Sequence, residues 1–298
     1  MKLAILYRGP LESCNYGCDY CPFAKKVDTR GELAEDRRAL ERFVGWVGAR
    51  SGDEIGVLIT PWGEGLVRPW YQEALVALSL MPHVRRAAIQ TNLSCRLEWA
   101  ARGDRARLAL WATYHPAWTA RRRFVEKVQW LAANGFRVSC GAVGLRRFAG
   151  EIEALRAELP PEVYLWINAA KSGGDGEPAE EDIARFERVD PLFRINTRRH
   201  PSLGRSCRAG ASVISVDGDG TMRRCHFVRE VIGNLYEPGF EAALKERPCP
   251  NVTCGCHIGY VHLDDLGLYP VFGDGILERI PAIWPLPAAR GRLPVVPA

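Results

Sequence analysis

The chain predicts an α/β fold, a parallel sheet built from consecutive βα units, and three features carry that reading. Up to about residue 200, short apolar runs of strand length alternate with longer stretches of helical periodicity. The apolar runs lack polar alternation, which suits strands covered on both faces. Polar residues gather just after those runs, at the ends where α/β barrels keep their chemistry.

Leu3–Tyr7 is the first strand. The helical stretch Glu35–Val47 follows, with Leu40, Phe43, Val44 and Val47 at helical spacing. Glu54–Thr60 is the second strand, and Pro69 opens Trp70–Leu80 from the first turn, where its missing N–H costs nothing. Ala87–Thr91 and Leu108–Thr113 are the next two strands. Thr119 stands where it would cap Ala120–Ala133, whose apolar positions include Phe124, Val128 and Leu131. Phe136–Val143 and Val163–Asn168 complete six units joined by right-handed crossovers. Six is short of the eight that close a barrel, and no solenoid-type repeat is superposed on the βα period.

One loop dominates the chemistry. Cys14-Asn-Tyr-Gly-Cys18-Asp-Tyr-Cys21 places three thiols at CxxxCxxC spacing just after the first strand. A [4Fe–4S] cube normally takes four thiolates, so a compact loop offering three leaves one iron open. An open position marks a catalytic metal rather than a structural one. The alternatives are a zinc knuckle or a ferredoxin loop; zinc favours completion by a nearby Cys or His, and none is close in sequence. With the aromatic Tyr20 before the last cysteine, the spacing resembles the signature of the radical S-adenosylmethionine (radical SAM) superfamily. The resemblance implies a partial (β/α)6 barrel over residues 1–200. It also implies a [4Fe–4S] cluster on Cys14, Cys18 and Cys21 whose open iron chelates the amino and carboxylate groups of SAM.

The strand ends supply the remaining candidates. Thr60-Pro61-Trp62-Gly63-Glu64-Gly65 resembles the superfamily's Gly-Gly-Glu-type motif, with Trp62 in place of the first glycine. Gly63 would allow close backbone approach, and Glu64 would accept from the SAM ammonium. As an isolated string the segment is an ordinary turn. Gln90-Thr91-Asn92, Tyr114-His115-Pro116 and Asn168-Ala169-Ala170-Lys171 end later strands. Tyr20, Gly63, Glu64, Asn92, His115 and Asn168 are therefore the cofactor-binding candidates, each with a plainer reading as a turn or structural residue. Arg121-Arg122-Arg123 opens a helix against its dipole, which fits a carboxylate partner or a solvated face. Arg198-Arg199-His200 reads the same way, and the Gly-rich acidic stretch Lys171–Asp182 is a loop beside the pocket.

Beyond residue 200 a second group of thiols appears. Cys207 is followed by twelve residues, Gly220, four more residues and Cys225; Cys249, Cys254 and Cys256 come later. Ala211–Val216 and Thr221–Arg224 flank Asp217-Gly-Asp-Gly220, a hairpin that brings Cys207 and Cys225 together. This pattern, with Gly233-Asn234 downstream, resembles the opening of SPASM and twitch domains. That implies a small auxiliary domain over residues 201–262 holding a second [4Fe–4S] cluster. Five thiols remain for it, and Cys249-Pro-Asn-Val-Thr-Cys254-Gly-Cys256-His257 is not standard spacing. In an extended segment Cys254 and Cys256 share a face, so either suits the metal. Zinc is the alternative here, and His226 and His257 stand beside the cysteines as ligands or supporting donors. Cys95 and Cys140 read as inert buried thiols. The Pro-rich segment 263–298 wraps the surface or lines the barrel mouth, and His257–Leu263 and Phe272-Gly273-Asp274 are expected near the site.

Composition excludes several classes. Ten cysteines without a secretory signal argue for metal ligation in a reducing cytoplasm rather than disulfides. No apolar stretch approaches the length of a membrane span. A net charge of +5 permits an anionic substrate and does not demand nucleic acid. The segment Cys254-Gly-Cys256-His-Ile-Gly-Tyr260 is also similar to the ending of an uncharacterised radical SAM subfamily. Taken together, the resemblances imply reductive cleavage of SAM to a 5′-deoxyadenosyl radical that abstracts hydrogen from a peptide or natural-product substrate. The auxiliary cluster would assist electron transfer or substrate binding, and a flavodoxin or ferredoxin would supply electrons. No peptide-recognition domain precedes the first strand, so a peptide would need an escort or a leaderless mode. The other readings are a small-molecule radical SAM dehydrogenase and a non-catalytic Fe–S electron carrier; a carrier has no use for the strand-end polar groups.

Overall fold

The computed structural model describes residues 1–24, 26–171 and 178–285. Each predicted strand is present: β1 (Lys2–Arg8), β2 (Glu54–Ile59), β3 (Val84–Thr91), β4 (Leu108–Thr113), β5 (Arg137–Gly144) and β6 (Leu165–Ala169). They pair in parallel in that order. Between them run α1 (Arg30–Gly48), α2 (Pro69–Leu80), α3 (Arg121–Ala133) and α4 (Ala149–Glu158). The crossover from β3 to β4 carries a short 3₁₀ turn, Glu98–Arg102, in place of an α-helix.

Helix α1 starts earlier than its apolar spacing predicts. Thr29 accepts from the Glu32 amide while the Glu32 carboxylate takes the Thr29 amide, a reciprocal cap that fixes the start. Thr119 does not cap α3: Ala120 holds that position with no side-chain bond, and the Thr119 side chain bonds Tyr16 instead. Arg121 finds its carboxylates within the protein, on Glu151 and Glu158.

After α5 (Glu180–Glu187), α6 (Phe193–Thr197) and β7 (His200–Pro201), the predicted hairpin forms from β8 (Val213–Asp217) and β9 (Thr221–Arg223). Gly220 closes its turn at φ +88°, a left-handed angle that suits glycine. Strand β8 then lies parallel to β1, from Ala4 opposite Val213 to Arg8 opposite Asp217. With β10 (Val231–Asn234) the sheet reaches nine strands, ordered β10-β9-β8-β1-β2-β3-β4-β5-β6. A separate short pair joins β7 to β11 (Thr253–Cys254).

Two cores flank this sheet. On one face Ile5, Val57, Ile89, Leu110 and Ile167 pack against Leu40, Phe43, Leu75, Val128 and Ile152 of the helices. Fully burying each such side chain contributes roughly 1.5–3 kcal/mol. On the other face the chain's own late segments fill the concavity. Ile258 and Tyr260 of α7 (His257–Tyr260), Leu268 and Phe272 of α8 (Leu268–Phe272), and Leu277 cover Leu6, Leu58, Trp111 and Trp166. Glu278 anchors this filling: it is wholly buried and pairs with Arg86 at 3.0 Å and Arg137 at 2.6 Å, near the starts of β3 and β5. The opposite ends of the strands stay free for the site.

Candidate active site at the strand ends

Two buried acids fix the approach to the cysteine loop. Asp36 of α1 accepts from the Leu11 amide, the Trp70 indole and the Tyr71 hydroxyl. Asp28 accepts from the Glu12 and Ser13 amides and from the Ser13 hydroxyl. The loop after β2 is then stitched alongside, the Gly63 amide bonding Leu11 O at 3.3 Å and the Glu64 amide bonding Ser13 O at 3.1 Å. A Cβ on Gly63 would stand 1.8 Å from Ser13 O, so no other residue fits this approach.

The stitching produces a small cavity of about 130 Å³ lined by Cys14, Cys18 and Cys21 together with Gly63, Glu64, Asn92 and His115. Tyr16, Trp62, Gln90, Thr91 and Thr113 complete the wall. The Tyr16 amide points at Cys14 Sγ from 3.3 Å, and Asn92 Nδ2 donates to Asn15 Oδ1 at 3.0 Å. Cys18 Sγ lies 3.4 Å from His115 Nδ1, and the Tyr20 hydroxyl lies 2.8 Å from the same nitrogen. Burial lowers the His115 pKa to about 4, so the ring is neutral at pH 7. Burial also pushes the Cys14 thiol up, as expected of a thiol that awaits a metal to draw off its proton.

Glu64 has more partners than its motif suggests. It is buried, and its carboxylate accepts from the Leu66 amide at 2.9 Å, the Thr91 hydroxyl at 2.8 Å and the Asn92 amide at 2.5 Å. It braces the end of β2 to the end of β3 before any cofactor enters. Glu64→Gln should therefore destabilise the protein even without SAM. An amide NH2 facing one of these donors leaves a buried group unmatched, at a cost of about 1–3 kcal/mol. Thermal unfolding of the variant without added SAM checks this; an unchanged midpoint would leave cofactor contact as the residue's sole role.

Asn168 lies elsewhere. Its Oδ1 accepts from Arg279 Nη1 at 2.9 Å, on the far side of the mouth from the cysteine loop. A second, larger cavity of about 700 Å³ adjoins the first through their common wall, Trp62. Arg8, Arg38, Arg42, Asp217, Arg223 and His226 line it, and the Arg8 guanidinium sits 3.9 Å over the Trp62 ring.

The C-terminal thiols separate into two environments. Cys225 feels Cys207 and Cys249, and Cys254 feels Cys225 and Cys249, so these four form one neighbourhood. Burial pushes Cys225 up to about 11 and Cys254 up to about 12. Cys256 instead faces Lys171, Arg279 and Arg8. His226 Nε2 contacts the Thr60 hydroxyl at 3.2 Å, and His257 is buried between Trp111 and Phe272. Among the described residues no three His, Cys, Asp or Glu side chains converge to hold one ion. A zinc site needs that convergence, whereas a cube holds its ligands apart at separate corners.

No family model and no curated protein matches the sequence. Among solved structures, native anSMEcpe with bound AdoMet superposes with a TM-score of 0.51 at 14% identity, over 81% of this chain and 83% of that one. The fold is that of the radical SAM enzymes. The His-tagged anSMEcpe with AdoMet gives the same TM-score at 13% identity, over 81% and 82% of the two chains. BtrN in complex with AdoMet and 2-DOIA aligns over 82% of this chain and 87% of that one, at 15% identity and a TM-score of 0.37.

Sequence reasoning missed the framework of the site more than its lining. Asp28 and Asp36 carry no motif. The ring of Trp118, stacked 5.5 Å from Tyr16, belongs to the loop after β4. A polar residue at an apolar helix position, as Asp36 is on α1, was the available signal.

Proposed function

We propose that this protein is a radical SAM enzyme with an auxiliary cluster. One observation supports it above all: the Cys14, Cys18 and Cys21 thiols open onto a single cavity shared with three successive strand ends. Three thiols fit a [4Fe–4S] cube with one iron left for SAM. Such a cluster supplies one-electron cleavage of SAM to a 5′-deoxyadenosyl radical for hydrogen abstraction. The protein's own share is positional. Asn92 and Glu64 order the ends of β2 and β3, neutral His115 and Tyr20 orient the loop around Cys18, and Trp62 screens the cavity from its larger neighbour. The substrate is a peptide or small natural-product precursor, and a flavodoxin or ferredoxin supplies the electron in the cytoplasm. Anaerobic reconstitution followed by assay for 5′-deoxyadenosine tests the reading; a cluster-loaded protein that leaves SAM intact under strong reductant defeats it.

Cys207, Cys225, Cys249 and Cys254 are the proposed ligands of the auxiliary cluster, with Cys256 outside the set. Four-thiolate closure suits electron transfer or substrate support rather than SAM cleavage. A Cys14/Cys18/Cys21 triple variant should keep about four irons per chain. Adding Cys254→Ser should remove them, while adding Cys256→Ser should not. Iron analysis of anaerobically purified protein decides, and zinc in place of iron would make this a structural site.

A further inference from the structure

Cys256 stands at the centre of a group of cations that no acid balances. It is solvent-exposed, yet its thiol is hemmed in deeply enough for burial to raise its pKa. Arg8 arrives from the end of β1, Lys171 from just beyond β6, and Arg279 from the C-terminal segment; all three act on this one thiol. Lys171 Nζ donates to Gly255 O, and Arg199 lies along the other side of Gly255. The Arg279 guanidinium is buried 4.7 Å over the Trp166 ring, held by Asn168 Oδ1, with its Nε hydrogen bonded to nothing.

The nearby acids are already committed. Asp217, which faces Arg8, is ion-paired with Arg223. Asp190, which faces Arg279, accepts from the Tyr164 hydroxyl and the Ile167 and Leu192 amides. Among the described residues Lys171 has thiols for its opposing groups, and burial brings its pKa down to about 8. Burial lowers Arg8 to about 10 as well. Concentrating cations in a concave, partly desolvated place is costly unless an anion arrives.

We propose that Arg8, Lys171 and Arg279 form an anion-binding subsite at the barrel mouth for a carboxylate or phosphate of the substrate, with Cys256 as its uncoordinated thiol marker. The assignment rests on the proposed enzymatic reading in one respect, that the ligand is a substrate. Arginine suits planar, two-point recognition of either anion, and Asn168 orients it. The side opposite the cysteine loop is left for the reacting partner.

The test is independent of SAM cleavage. Anaerobic, cluster-loaded full-length protein is labelled at fixed pH and ionic strength with anionic iodoacetate or neutral iodoacetamide, and Cys256 modification is read by peptide mass spectrometry. The ratio of the two rates is normalised to the same peptide in the denatured chain, which removes intrinsic reactivity. The expected preference for iodoacetate is on the order of tenfold; it should shrink in Lys171→Met and return in Lys171→Arg. Succinate protecting Cys256 identifies a carboxylate site, and inorganic phosphate protecting it identifies a phosphate site. Absence of preference, indifference to Lys171→Met, protection by neither anion, or a Cys256 that neither reagent reaches would each overturn the subsite. Saturating SAM abolishing the preference would assign the cations to the cofactor and overturn it too. A lost preference beside intact 5′-deoxyadenosine formation sinks the subsite alone. A retained preference without 5′-deoxyadenosine sinks the enzymatic reading alone.

Discussion

Replacing Cys14, Cys18 and Cys21 together by alanine is expected to remove 5′-deoxyadenosine formation entirely, a loss of at least about a thousandfold against background. The proposed mechanism has no other entry for the electron into SAM. The variant should nevertheless fold, because the thiols do not hold their own loop. Asp36 and Asp28 secure its approach, and Gly63 and Glu64 stitch it from the side. The two readouts therefore diverge, with activity gone and the thermal midpoint of cluster-free protein nearly unmoved. Undiminished 5′-deoxyadenosine from the triple variant would place the chemistry at the C-terminal thiols instead. A collapse of stability would show that the loop depends on its cysteines after all.

Glu278→Ala should produce the largest loss of stability. Its carboxylate is the wholly buried partner of two arginines, and Arg86 is itself buried. Removing one side of a buried ion pair costs about 3–5 kcal/mol, because the remaining charge has no water to turn to. For a chain of this size that corresponds to a fall of roughly 6–20 °C in Tm. Two details shape the expectation. The Arg86 pairing at 3.0 Å lacks hydrogen-bond alignment, and Glu278 Oε2 accepts from no group. Glu278→Gln should accordingly be milder, since the amide oxygen still meets Arg137. Calorimetry of both variants under anaerobic conditions checks the order; equal midpoints for wild type and Glu278→Ala would mean that apolar packing alone retains the inner layer.

The strands were legible because parallel strands buried on both faces are written as local apolar runs, and β4 matches its predicted bounds at both ends. The site's lining was legible for a related reason, since each residue follows directly from the end of a strand. What escaped notice depends on contacts between distant parts of the chain. The hairpin of β8 and β9 is a local signal, but the parallel pairing of β8 with β1 joins residues some two hundred positions apart. The expected shared face of Cys254 and Cys256 assumed extended chain throughout, whereas β11 ends at Cys254 and Cys256 caps α7. Their thiols consequently meet different neighbours. Glu64 was legible as a site residue and not as a brace, because its three donors come from backbone and side chains that no motif mentions.

The late segment that fills the concave face has a consequence for the order in which the molecule is made. The cysteine loop and the first six strands leave the ribosome long before Glu278 and Arg279 exist. Through that interval the inner faces of Leu6, Leu58, Trp111 and Trp166 have none of their eventual cover. Neighbouring residues then complete two tasks at once: Glu278 secures the floor between β3 and β5, and Arg279 rises against Trp166 to finish the wall. A nascent chain can thus present the Cys14–Cys21 loop to iron delivery while its interior still lies open. Enclosure of the reaction chamber is reserved for the final moments of synthesis.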